Sequence, residues 1–279
     1  MAALLQLALL TLLISAAQSN VPEPDTIEED LFFYQHQIKA IHQILKTECP
    51  DLIRFKRELY HDGFTSLHLE AAKIAYNCQE HYERGSTTPG VYLIDPSSSN
   101  FEPFDVWCDF LDGHGWTVFQ KRFDGSIDFY QDWSHYKKGF GTVTKEYWLG
   151  LDKIHALTQT NRKLNILVKA ANGTILSGTW SSFIIGSEGD NYKLSVSSAA
   201  YSGSLNENGL SYSNGMSFST KDRDHDEARV NCATYWHGAW WYKNCGSNLN
   251  GSYDKTDSSG IFWHPLYQLK ETVMRVSRD

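Results

Sequence analysis

Asp222, Asp224 and Asp226 stand at alternate positions in DRDHDEARVN, a segment that runs into Cys232. Carboxylates so closely spaced repel one another unless a cation or basic neighbours offset their charge. Several oxygen donors on one short loop can hold a hard cation; the alternative is a solvated acidic loop. The spacing does not fit an EF-hand. Counted from Asp222, the position that requires Gly holds Glu227, and the one that requires a bidentate Glu holds Ala233. No other pattern in the chain points to covalent or redox chemistry. It has no GxSxG elbow, HExxH helix, phosphate-cradling loop or dinucleotide fingerprint, and GFGT at Gly139 is too short to count. The 11 His are scattered without metal-pair spacing. The chain therefore reads as a binding protein and not as an enzyme.

Whatever positions that loop is built in an oxidising compartment. Between Met1 and Glu23 there is no charged side chain, and the apolar run Leu4 to Ile14 leads into the small residues Ser15 to Ser19. This pattern predicts a secretory signal peptide over 1–19, although its first residues lack Lys and Arg. The alternative, an uncleaved anchor, suffers from a run shorter than the roughly 20 residues a span requires. Secretion gives the five cysteines a disulfide reading. Two pairs and one leftover are expected: Cys78 with Cys108, Cys232 with Cys245, and Cys49 alone upstream, where an odd cysteine suggests an interchain bond. A free thiol or a reshuffled pairing is the alternative.

With 279 residues, 41% hydrophobic and 14% aromatic, the chain has far too much apolar surface to stay disordered. Its net charge of −8 and the absence of a Lys/Arg cluster exclude a nucleic-acid partner. After the leader, Ile27, Leu31, Tyr34, Ile38, Ile41 and Leu45 recur at heptad spacing until Pro50. We read residues 20–76 as a short helical coiled-coil stalk for self-association, bearing Cys49. The alternative is one amphipathic helix packed on the globular part. From residue 77 to 279 the texture changes to short runs of Val, Ile, Tyr, Phe and Trp between turn residues. Strands are predicted at Gly90–Ile94, Phe104–Phe110, Trp116–Arg122, Leu164–Ala170 and Gly173–Phe183, and helices near Gly139–Glu146 and Leu151–Gln159. Beyond Ser202 the patterning fades into a loop-rich region, the usual place for binding function.

The ordered motifs GVYLI (Gly90 to Ile94), VWCDF (Val106 to Phe110), GWTVFQKRFDGSIDF (Gly115 to Phe129), YWLGLDKIH (Tyr147 to His155), MSFSTKDRDHD (Met216 to Asp226), GAWWYKNC (Gly238 to Cys245) and SNLNG (Ser247 to Gly251) carry a resemblance. Over roughly 200 residues the chain resembles a fibrinogen C-terminal domain, as in ficolins, tachylectins, tenascins and angiopoietins. The resemblance implies an α+β globular fold with a loop-rich calcium and ligand lobe, and Cys78–Cys108 and Cys232–Cys245 disulfides. It also implies a Ca2+ site with Asp224 and Asp226 as side-chain ligands, the carbonyls of Ala228 and Val230 beside them, and water.

In the acetyl-binding members of that family, an aromatic residue four positions after the third cysteine, a His after the fourth and a downstream Tyr form the pocket. Trp236 matches the first, whereas Gly246 stands where the His would be and the stretch from Asp254 to Gly260 has no aromatic. The implied ligand wall is thus Trp236 with the Cys245–Gly246 backbone, whose peptide isomer the sequence leaves open. The acidic residues of a fibrin-knob pocket are replaced by Tyr235 and Trp236. We read Trp240 and Trp241 as core anchors and not as a sugar platform. Sequons at Asn172 and Asn250 are candidate glycosylation sites.

The sequence thus predicts a secreted recognition protein of innate-immune type, binding glycans or acetylated surface groups. The alternative is a protein ligand for a receptor or matrix component. A homo-oligomer would multiply weak pockets into avidity, and nothing beyond the leader is long enough to span a membrane. A Cys49→Ser variant is expected to lose the covalent oligomer on non-reducing gels while its globular part stays folded. A wild-type protein that is monomeric by light scattering would contradict this.

Overall fold

The computed structural model describes residues 74–96, 102–160, 162–265 and 269–278. The predicted leader, the stalk up to its last residues, and Cys49 lie outside the described residues. The described unit begins at Ile74, and Ala75 already bridges to Ile94.

Helix α1 (Cys78–Glu83) starts where the Asn77 side chain accepts the Glu80 N–H at 3.1 Å, a common N-cap arrangement. The Cys78–Cys108 disulfide ties it to the first strands. Strands β1 (Gly90–Ile94), β2 (Phe104–Leu111) and β3 (His114–Arg122) form an antiparallel meander. Asp112 and Gly113 both have positive φ, so β2 and β3 are joined by the two-residue turn that matches sheet twist. Trp116 through Arg122 are buried except Lys121, because β3 is covered on both faces.

Helix α2 (Trp133–Lys138) is followed by the short pair β4 (Phe140–Gly141) and β5 (Tyr147–Trp148), then by α3 (Leu151–Leu157). The helix expected near Gly139–Glu146 is therefore displaced: α2 ends there and a strand and turn take over. Gly139 and Gly141 carry φ of 96° and 81°, and a side chain on either would strike backbone carbonyls of Leu149 or Glu146. No helix can run through such positions.

Strands β6 (Lys163–Ala170) and β7 (Ile175–Trp180) pair across the Asn172 turn, whereas β8 (Ser182–Ile185) leaves to pair with β9 (Leu194–Ser197). The single strand expected over Gly173–Phe183 is thus two strands in two sheets. Trp180 and Phe183 are both buried although three positions apart, so the two-residue alternation breaks at Ser181–Ser182 and the chain changes sheet there. Strand β10 (Ser202–Gly203) adds to the edge of β7. The larger sheet has the order β1-β2-β3-β11-β6-β7-β10, with β5 also pairing β3. Its central member, β11 (Leu269–Ser277), is the C-terminal strand that the sequence reading missed, although Thr272, Met274 and Val276 alternate on one face and are all buried.

Between Ser202 and β11, the regular structure of the described residues is β10 and the four-residue helices α4 (Asn208–Ser211) and α5 (Cys232–Tyr235), with bridges such as Ser219–Trp240 and Asn248–Phe262. Trp240 and Trp241 are fully buried in the common core. This lobe is held to the sheet by side chains reading its backbone. The Gln120 amide donates to the carbonyl of Leu249 at 3.1 Å and to Asn250 Oδ1 at 3.2 Å, and Arg122 donates to the carbonyl of Gly251 at 2.9 Å. Glu146, 3.7 Å from Arg122 and equally buried, accepts the N–H groups of Phe123, Asp124, Gly125 and Ile127.

This joint corrects the reading of Asn250 as a glycosylation site. Its Nδ2, the atom that would carry a glycan, donates to the Ala239 carbonyl at 3.1 Å, and the residue has no exposed surface. Asn172 stands exposed in the β6–β7 turn, with only its Oδ1 engaged, by the Thr174 N–H. Removing Glu146 would leave the buried Arg122 charge without its partner and take the acceptor from four loop N–H groups. Glu146→Ala is expected to cost about 3–5 kcal/mol in denaturant-induced unfolding, and an effect below about 1 kcal/mol would contradict the role given to this pair.

Candidate functional site

Four segments of the lobe enclose a cavity of about 570 Å³. Trp236, Phe262 and Tyr212 supply rings, while Asn208, Asn244, Ser247, Ser258 and His264 supply polar groups. The segments are fixed separately. Trp263 Nε1 donates to the Asn206 carbonyl at 2.9 Å, and its ring lies so close over Gly209 that any side chain there would clash, which seats α4 against the cavity. The buried Asn248 amide donates to the Trp236 carbonyl at 3.0 Å. The Trp236 ring stands edge-on to Phe262 at 5.7 Å and to Tyr242 at 6.3 Å, and remains half-buried.

The Cys232–Cys245 disulfide brings the expected ligand residues together: Trp236 one turn beyond Cys232, and Gly246 directly after Cys245. Cys245 itself takes a left-handed conformation with φ of 57°. The cis peptide bond among the described residues is His264–Pro265, so Cys245–Gly246 is trans. Gly246 has φ of 117°, a conformation open to glycine and strained for other residues, and a Cβ there would lie 3.4 Å from the Tyr212 ring. The residue that replaces the family's His is therefore built into the backbone path. Tyr212, Asn208, Asn244, Ser258, Phe262 and His264 were not singled out from sequence. They come from three segments far apart in the chain, around Asn208, Asn244 and Phe262.

The acidic loop lies on the other side of α5. Asp226 accepts the N–H groups of Ala228 and Cys232, both at 2.8 Å, and Asp224 accepts the N–H of Asp226 at 3.2 Å. Burial, and then the charge of Asp224, push the Asp226 carboxyl above the ordinary carboxylate range, against the pull of its two N–H donors. Neighbouring cations are engaged elsewhere. Arg223 lies over the Trp133 ring and 3.9 Å from Glu188, and Lys221 donates to the Tyr130 carbonyl. Asp222 is also used structurally: it accepts the Trp133 N–H at 2.9 Å and the Thr220 hydroxyl at 2.7 Å.

The charge of Asp224 thus bears on the Asp226 carboxyl, and the buried Tyr242 hydroxyl, which senses the charge of Asp226, has no hydrogen-bond partner among the described residues. Among the described residues no three His, Cys, Asp or Glu side chains converge as a metal site. A cation at Asp224 and Asp226 would have to complete its shell with backbone carbonyls and water. Hard oxygen donors of this kind suit calcium and not a thiolate- or imidazole-seeking metal. Ala228 is half-buried and Val230 is exposed, both on the segment that the Asp226 carboxylate ties back to Cys232.

The loop is braced from behind by an ion-pair cluster. Lys137 on α2 contacts Asp152 and Glu188, each at 2.8 Å, and Trp133 Nε1 donates to Glu188 at 2.9 Å. The hydrogen bonds from Lys137 and Trp133 hold the Glu188 carboxyl below its usual range.

A family model described as fibrinogen beta and gamma chains, C-terminal globular domain, matches residues 74–277. Ryncolin-4 of Cerberus rynchops is 46% identical over 194 residues, covering 67% of this chain and 55% of the relative. Fibrinogen C domain-containing protein 1 of Mus musculus is 43% identical over 209 residues, covering 69% of this chain and 44% of the relative. The chain thus spans about half the length of these relatives. The fibrinogen-like globe domain of human ANGPTL2 aligns with a TM-score of 0.68 at 38% identity, over 72% of this chain and 98% of that one. A lamprey fibrin D-dimer solved with the peptide Gly-His-Arg-Pro-amide aligns with a TM-score of 0.66 at 29% identity, over 95% of each chain. With its motifs, its fold and this match in agreement, the chain belongs to the fibrinogen C-terminal domain family.

Proposed function

We propose that this protein is an extracellular, non-catalytic recognition protein that takes a glycan or acetylated surface group into the cavity beside Trp236. The observation that carries this reading is the lining: three aromatic rings and a set of neutral amides and hydroxyls, with no carboxylate, Lys or Arg among the described residues that form it. Apolar walls with a few fixed polar groups are the usual composition of a small-ligand site. The lamprey structure holds a peptide with an Arg side chain, and a cationic ligand of that kind calls for carboxylates that this lining lacks. Both described disulfides suit an oxidising compartment. Among the described residues, no helix is long and apolar enough to cross a membrane. Self-association through the N-terminal segment would add avidity to a shallow site.

A second reading, a protein ligand for a receptor or matrix component, draws on Val230 and Tyr235, which are 54% and 66% exposed beside the acidic loop. A glycan array with calcium and with chelator separates the two readings, since a receptor ligand would give no sugar-competed signal. On the recognition reading, Trp236→Ala weakens binding about tenfold or more. It should destabilise by less than the 3–5 kcal/mol that truncating a fully buried Trp costs.

Calcium is the cation we assign to Asp224 and Asp226, with the carbonyls of Ala228 and Val230. When bound it would supply positive charge between the two carboxylates. The chain's own part is to hold the loop, through the Asp226 carboxylate on the Cys232 and Ala228 N–H groups. A ligand that binds only the folded state stabilises it by about 2.7 kcal/mol at a hundredfold excess over Kd. In a domain of this size that corresponds to about 5–10 °C. Chelation is expected to lower Tm by this order, and Asp224→Ala to make Tm insensitive to calcium. Calorimetry that detects no calcium binding at millimolar concentration would refute the assignment.

A further inference from the structure

We propose that His264 is the ligand-contacting hydrogen-bonding residue of the cavity, supplying from the C-terminal segment the imidazole that the position after Cys245 lacks. This deepens the recognition reading and rests on it. A side chain at Gly246 would be strained by its φ of 117°, although a Cβ would meet the Tyr212 ring only at 3.4 Å. On this segment the cavity has the Asn244 amide and the Ser247 hydroxyl, and an imidazole comes to it from the C-terminal segment.

The described cavity lining contains one imidazole, that of His264. Its main chain is anchored, since the His264 N–H donates to the buried Ser247 hydroxyl at 3.2 Å, directly beside Gly246. Its ring stands perpendicular to Phe262 at 6.4 Å, and Phe262 in turn stands perpendicular to Trp236. His264 is exposed, and its ring nitrogens make no hydrogen bond to the described residues. Other polar groups of the wall are partly committed: Asn206 Oδ1 accepts the Asn208 N–H at 3.0 Å, and Ser247 accepts that of His264. An imidazole offers one donor and one acceptor when neutral. It therefore suits an uncharged amide or hydroxyl seated edge-on against the Trp236 and Phe262 rings.

The probe is acetylated serum albumin immobilised on a biosensor, with unmodified albumin as reference and N-acetylglucosamine as competitor, read with the full chain in calcium. His264→Ala is expected to bind about tenfold more weakly, a change of about 1.4 kcal/mol, at unchanged melting temperature. His264→Phe, which keeps a ring without its nitrogens, is expected to show the same loss. Retention of wild-type affinity by either variant overturns the assignment of His264 while leaving the recognition reading intact. A wild-type protein that fails to bind the acetylated probe overturns the reading of the cavity itself, and the role of His264 with it.

Discussion

Arg122 is a cation with almost no exposed surface, and the way its charge is satisfied dictates how the sheet and the loop-rich lobe meet. It sits at the end of β3, two positions after Gln120, so both side chains leave the same face of the strand. There they read the carbonyls of Leu249 and Gly251, about 130 residues away in the chain. Its other face lies over the Phe129 ring at 3.8 Å, and Glu146 balances the charge while holding four N–H groups of the loop that follows β3. A buried ion pair is poor evidence for net stability, because desolvation consumes much of the attraction. Its effect here is positional: an apolar pair of equal volume would leave the loop amides and the lobe carbonyls without partners.

This explains how unevenly the fold can be read from sequence. The meander of β1 to β3 was legible because its strands alternate and are bounded by turns such as Asp112–Gly113, and burial follows local pattern. The SNLNG segment has no periodicity at all. Its conformation comes from Asn248 holding the Trp236 carbonyl and Asn250 holding Ala239 and Gln120, contacts made at long range. The same fact defeats the sequon at Asn250, since an Asn that reads as a modification signal locally is a core amide globally. The displaced helix near Gly139 is a milder case. There the positive φ and the close approach of the backbone at Gly139 and Gly141 fit a strand and turn and not the expected helix.

The candidate site follows the same division. Trp236 and Gly246 are legible because the resemblance counts those positions from Cys232 and Cys245, which the disulfide joins in space. Tyr212, Phe262 and His264 were not, because each reaches the cavity through its own anchor: α4 under Trp263, the Asn248–Phe262 bridge, and the Ser247 hydroxyl. A wall assembled from separately anchored pieces tolerates exchange of one piece for another. On the proposed reading, that would let an imidazole reach the cavity from the C-terminal segment without a change of fold.

The acidic loop and the cavity are joined by a short mechanical path. Asp226 fixes the Cys232 N–H, Asn231 caps the first turn of α5 by accepting the Thr234 N–H, and the disulfide passes the constraint to Cys245 and so to Gly246. Anything that orders the carboxylates therefore orders the cavity wall, although no carboxylate lines the cavity among the described residues. Ligand discrimination then depends on how firmly that wall is held, because a polar group rejects a mismatched ligand only when it cannot move aside to avoid being left unpaired. The left-handed Cys245 and the positive-φ Gly246 give the chain one compact way past Tyr212. On the recognition reading proposed above, this backbone path would hold the side chains that face the cavity, and selectivity would come from them.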